Sequence, residues 1–151
     1  MIMPAGTRDL WPTDIASATP TVIPPSEILQ QQATNLERKT QGVLLGKVNR
    51  WSSSGQFFLS FRIVAPALDY EYELLKVHHG IDLYPVTVDA ALGRADVQSI
   101  YHVAAFSSDM STQLGTEEQF VQWLENVLAD DQTRKVIGSL LRQSGVPVGV
   151  Q

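Results

Sequence analysis

The chain contains no cysteine, and that absence removes disulfides, thiolate metal sites and thiol nucleophiles together. Runs of like charge are missing as well: 16 acidic and 11 basic residues are scattered over 151 positions, for a formal charge of -5. Wrapping a phosphate backbone takes a dense basic stripe, so nucleic acid is not an expected partner, whereas a mild negative charge suits solubility and a basic protein partner. No apolar run approaches the roughly 20 residues of a bilayer span. The opening Met1-Ile2-Met3-Pro4-Ala5-Gly6 lacks the basic start and apolar stretch of a secretory signal. The expectation is a soluble, cytoplasmic protein that makes no use of a membrane.

The common catalytic motifs are missing too. Ser52-Ser53-Ser54-Gly55 has neither the lysine nor the following helix of a phosphate loop and reads as a hairpin turn. No serine lies in a G-x-S-x-G nucleophile elbow. No cofactor and no metal are therefore expected, and the balance leans against an enzyme.

What is present is an ordinary globular composition, 44% hydrophobic and 18% charged, in a chain long enough to bury roughly 70% of its unfolded surface around one core. Residues 1–25 carry Pro4, Pro12, Pro20, Pro24 and Pro25, which block helix interiors and central strands. Leu10, Trp11, Ile15, Val22 and Ile23 punctuate the segment, as in an extended arm laid over the protein's own body or a neighbour's. Residues 26–145 form the expected domain, and 146–151 a frayed tail.

Within that domain, Ile28, Leu29, Ala33 and Leu36 recur at helical spacing and predict a helix over 26–40. Two β-rich runs, 43–51 and 56–65, flank the serine turn. A four-residue loop there pairs Trp51 with Gln56, Val48 with Leu59, Gly46 with Phe61 and Leu44 with Ile63. One face then carries Leu44, Gly46, Val48, Phe57, Leu59, Phe61 and Ile63, a core face. The other mixes Val43, Leu45, Lys47, Asn49, Trp51, Phe58, Ser60, Arg62 and Val64, and is either covered by another element or open to association.

A third strand over 70–79 returns antiparallel, with Tyr72 opposite Ile63 and Glu73 opposite Arg62. Unbroken alternation would bury Lys76, so a β-bulge is expected near Leu74-Leu75, turning Leu75, Val77 and His79 inward. A short strand over 84–88 follows, with Pro85 suited to a strand start or edge; 89–98 reads as a polar loop, 99–106 as a fifth strand and 107–115 as a second polar loop. Thr116-Glu117-Glu118-Gln119 fits a capping box. Phe120, Trp123, Leu124, Val127 and Leu128 give the strongest helical repeat, and a last helix spans about 132–143. The expected fold is α+β: an N-terminal helix, a five-stranded, mostly antiparallel meander, and two C-terminal helices packed on one sheet face.

Candidate chemistry gathers at His78, His79, Asp82 and Tyr84, with His102 on the expected fifth strand. Imidazole and carboxylate side chains at strand ends can form a small-ligand or hydrolytic site. Adjacent strand residues point to opposite faces, however, so His78 and His79 do not readily share a metal. Glu71 and Glu73 face Arg62 and Lys76 and read as a charged sheet surface rather than a catalytic carboxylate pair. Lys47, Arg62, Trp51 and Phe58 also have the make-up of a stacking platform for single strands, which the acidic balance opposes. The leading expectation is a non-enzymatic accessory protein, of immunity or adaptor type or self-associating. It would bind a protein partner or a second copy through Trp11, Trp51, Phe58 and Arg62, since tryptophan and arginine dominate binding hot spots.

Overall fold

A computed structural model describes residues 8–90 and 112–145 of the chain. The fold is α+β, as expected. Helix α1 (Pro25–Lys39) precedes strands β1 (Leu45–Ser53), β2 (Gln56–Ala65), β3 (Tyr70–His79), β4 (Val86–Ala90) and β5 (Thr112–Leu114). Helices α2 (Glu117–Ala129) and α3 (Asp131–Gln143) follow. The strands lie in the order β1-β2-β3-β4-β5, every neighbouring pair antiparallel.

Local chemistry accounts for the element ends. Pro25 occupies the first turn of α1, where a missing N–H costs nothing. At the other end, the Thr40 hydroxyl donates to the Leu36 carbonyl at 2.9 Å and accepts from the Leu44 N–H at 3.1 Å, leading the chain into β1. Thr116 caps α2, accepting from the Gln119 N–H at 3.1 Å. Gln119 answers through Gly115, whose N–H it receives at 2.7 Å, rather than through the Thr116 N–H of the regular box. Asp130 ends α2 and caps α3 with one carboxylate, which accepts from the Gln132 N–H at 2.8 Å.

The first hairpin departs from the four-residue loop. Ser53 pairs with Gln56, Trp51 with Phe58, Val48 with Phe61 and Gly46 with Ile63. Only Ser54 and Gly55 form the reversal, with φ of 53° and 79°, the left-handed pair that suits a two-residue hairpin turn. The offset from the expected register is two residues, and because side chains alternate with a period of two, both faces keep their expected residues. The bulge falls where the sequence asked for it. Register shifts between Phe61 and Arg62, so Tyr72 faces Ile63, Glu73 faces Arg62 and Leu75 faces Phe61, leaving Leu74 as the extra residue. Leu74, Leu75 and Val77 are all buried.

The inner sheet face meets the helices. Leu59, Phe61, Ile63, Tyr72, Val77, Val86 and Val88 close one cluster with Ile28, Leu29 and Ala33 of α1, Phe120, Leu124 and Val127 of α2, and Leu140 of α3. Each large side chain wholly buried there contributes about 1.5–3 kcal/mol. Gly46 belongs to this face for a reason other than pairing with Phe61. A Cβ built on it would lie 2.5 Å from the Ala33 Cα, so the glycine lets α1 rest directly on β1.

Two further expectations change. The fourth strand begins at Val86 rather than at Tyr84, since Pro85 has no N–H for the ladder and so precedes it. Thr112–Leu114, expected in a polar loop, pairs with β4 as its last strand. Residues 8–22 are all exposed. The strand expected over 99–106, the loop over 91–98 and the tail over 146–151 lie outside the described residues.

Candidate functional site

The outer sheet face is arranged in rows across the strands. At the hairpin end, Trp51 stacks on Phe58, with ring centroids 5.5 Å apart and planes 8° from parallel, and Phe58 meets the His78 ring at 5.2 Å. The register makes this row: Trp51 lies opposite Phe58, and Phe58 opposite His78. His78 Nδ1 is fixed 2.8 Å from Gln56 Oε1. At the far end the face is ionic. Arg62 spans Glu71 and Glu73 at 3.3 and 3.4 Å, while Lys47 reaches Glu71 at 3.8 Å and Lys76 reaches Glu73 at 3.6 Å. Ser60 and Lys76 sit between the two rows.

The structure therefore splits the four expected contact residues. Trp51 and Phe58 act as one stacked unit, Arg62 is engaged in the ionic row, and Trp11 stands alone on the arm, 71% exposed. A guanidinium already bridging two carboxylates has little left for a partner.

The described members of the alternative site point in different directions. His78 faces outward and His79 inward, as strand alternation requires. His79 is buried, and its Nδ1 lies 2.8 Å from the Gly80 carbonyl oxygen and 3.2 Å from that of Asp82. The ring is held as a local clasp on the β3–β4 turn. Asp82 takes part through its backbone, and its side chain is exposed. Tyr84 turns elsewhere, donating to the Ile23 carbonyl at 2.7 Å. Burial first, and the Glu117 carboxylate second, push its phenol up to about 12. His102 lies outside the described residues. Among the described residues, no three His, Asp or Glu side chains come together as a metal site.

Sequence reasoning missed the concavity at the hairpin end. Beside the N-terminus of α1, at the hairpin end, a groove of about 530 Å³ opens between Pro24, Arg50, Trp51, Phe57, Leu59, His79, Ile81 and Leu83. Phe57, expected in the core, points to the inner face but stays 40% exposed, because α1 ends short of it. The exposed large apolar side chains are concentrated. Among the described residues, Trp51, Phe57 and Ile81 lie on the groove and Leu10, Trp11, Ile15 and Val22 on the arm, leaving Tyr70 and Val121 elsewhere.

The groove adjoins the arm. Ile23 is anchored at both backbone groups: its N–H donates to Glu117 Oε1 at 3.0 Å and its carbonyl accepts from Tyr84. Pro24, the next residue, lines the groove. The signal that could have exposed this site was the pairing of a Pro-flanked apolar arm with aromatic residues at a hairpin tip, where a helix starting at Pro25 has no reach.

Fold and site together define an α+β chain with an antiparallel meander, one helix-covered face, and an apolar groove beside the root of its N-terminal arm. Compared with protein-family models, with curated proteins and with solved structures, the chain matches none. Among the described residues no helix is long and apolar enough to cross a membrane.

Proposed function

We propose that this chain is a non-enzymatic protein-binding accessory protein of the cytoplasm, of adaptor or self-associating type, which docks through the hairpin end of its sheet together with its N-terminal arm. The observation that carries the reading is the concentration of exposed apolar side chains on two adjoining features, the groove and the arm. Folded proteins tolerate scattered exposed apolar groups, but a grouped set marks a contact surface. The stacked Trp51–Phe58 pair supplies rigid aromatic area that loses little entropy on docking. Against a catalytic role stand the histidines' opposite directions and the structural hydrogen bonds of His79 and Tyr84.

The test is the solution mass of the purified chain, with affinity capture from the source lysate. Assembly above the 16.7 kDa of one chain, or a captured protein lost on Trp51→Ala and Ile81→Asp substitution, supports the reading. A strictly monomeric chain that retains no protein overturns it.

A further inference from the structure

We infer that the groove receives the arm of a second copy of this chain, so that two molecules exchange residues 8–22 reciprocally. The inference rests on the protein-binding reading above and names its partner. Two observations select the occupant. First, the chain carries apolar groups with no cover of its own: Leu10 is 78% exposed, Trp11 71% and Ile15 51%, while Phe57 and Ile81 on the groove are 40% and 81% exposed. The unsatisfied surface and the unfilled concavity belong to one sequence, as an isologous pair requires.

Second, the charges match. Arg50 lines the groove, and among the described residues it forms no ion pair. Asp14 stands directly before Ile15 at the head of a short 3-10 turn, Ile15–Ala18, and its carboxylate makes no capping bond to that turn. Asp9 differs, since its carboxylate already accepts from the Trp11 N–H at 3.1 Å. Among the described residues Asp14 forms no ion pair either, so the arm offers an anion beside its apolar anchors and the groove a cation, while the exposed Asp82 beside Ile81 disfavours an acidic group at that side of it. Docking of the arm would set Asp14 of one copy toward Arg50 of the other.

The attachment geometry suits exchange. Anchoring of Ile23 by Glu117 and Tyr84 fixes where each arm leaves its body, next to the groove its partner's arm enters. Domain-swapped arms of this kind add contacts without new folding elements.

Because the natural chain has no cysteine, the test can be made with disulfides placed at will in the full-length protein. One chain carries Ile15→Cys and a differently tagged chain carries Ile81→Cys; the two are mixed and oxidised. A mixed disulfide-linked dimer supports the inference, since such a bond requires Cα atoms roughly 4.4–6.8 Å apart, and Ile15→Cys with Val121→Cys as control gives none. An Arg50→Asp chain is expected to dimerise at least tenfold more weakly, and combining it with Asp14→Arg restores the dimer.

An Ile15→Cys/Ile81→Cys double variant that closes only within one chain at high dilution and high concentration alike overturns the inference, because the arm then fills its own groove. A monomeric chain that captures a different protein, lost on Ile81→Asp substitution, also overturns it while leaving the protein-binding reading in place. A monomer that captures nothing removes both.

Discussion

Tyr84 donates its phenolic proton to the carbonyl of Ile23, 61 positions earlier in the chain, across 2.7 Å. With Glu117 receiving the Ile23 N–H at 3.0 Å, both backbone polar groups of one residue are held by side chains, one from the β3–β4 turn and one from the start of α2. The arm's root is therefore part of the folded body, although residues 8–22 are exposed. This single anchoring point decides where the arm begins and places Pro24 on the groove.

Tyr84→Phe is expected to cost about 0.5–1.5 kcal/mol near neutral pH, the usual worth of one hydrogen bond. Its pH dependence follows from the raised phenol. In the unfolded chain tyrosine loses its proton near pH 10, but in the folded chain it keeps it up to about 12. In that interval the folded state binds a proton that the unfolded state has released, so the stability it brings is complete below about pH 10 and falls as pH rises through the folded value. Denaturant melts of wild type and Tyr84→Phe should converge across that window, and the phenolate absorbance that Tyr84 gains only towards pH 12 should be missing from Tyr84→Phe. A constant gap between the two proteins from pH 8 to the alkaline limit, on the order of 1 kcal/mol, would contradict this account.

Gly46→Ala tests the contact of helix and sheet. The added Cβ would stand 2.5 Å from the Ala33 Cα and 2.6 Å from its Cβ, so α1 must lift. Overpacking of this kind costs about 1–3 kcal/mol, to be read from the denaturation midpoint at unchanged m-value. Ala33→Gly should rescue little, because the Cα itself is in the way.

Arg62→Met should be nearly silent. The guanidinium spans Glu71 and Glu73, but its side chain is 38% exposed, and exposed ion pairs contribute about 0–1 kcal/mol. Its Nε is buried without a partner, which removal relieves. The difference between variant and wild type should shrink further at high salt. A loss well above 1 kcal/mol would mean the ionic row is more than a solvated surface.

These contacts also show what the residues disclosed in advance. The sorting of Leu59, Phe61 and Ile63 from Phe58, Ser60 and Arg62 was legible because alternation survives a register error of two, and the bulge because burying Lys76 was prohibitive. The register itself was not legible: serine gives no warning that Ser54 will adopt φ of 53° and shorten the turn. Nor was the groove, since the exposure of Phe57 depends on where a helix from another part of the chain stops. His79 looked reactive in sequence because its acceptors are backbone carbonyls, which no side-chain pattern reveals.

The helical pair gives a last check. Thr133 is fully buried at the start of α3, and its hydroxyl donates to the Val127 carbonyl at 2.7 Å, tying the two helices at their junction. The same carbonyl receives a longer bond from the Asp130 N–H at 3.2 Å, so it is not orphaned when the hydroxyl goes. Thr133→Val, which keeps the shape, should therefore cost only about 0.5–1.5 kcal/mol. Thr133→Ala also removes a buried methyl group, worth about 0.8 kcal/mol before any cavity term, and should be the more damaging of the two. Thermal or urea melts in which valine and alanine lose the same stability would show that the hydroxyl, rather than the packing around it, holds α2 to α3.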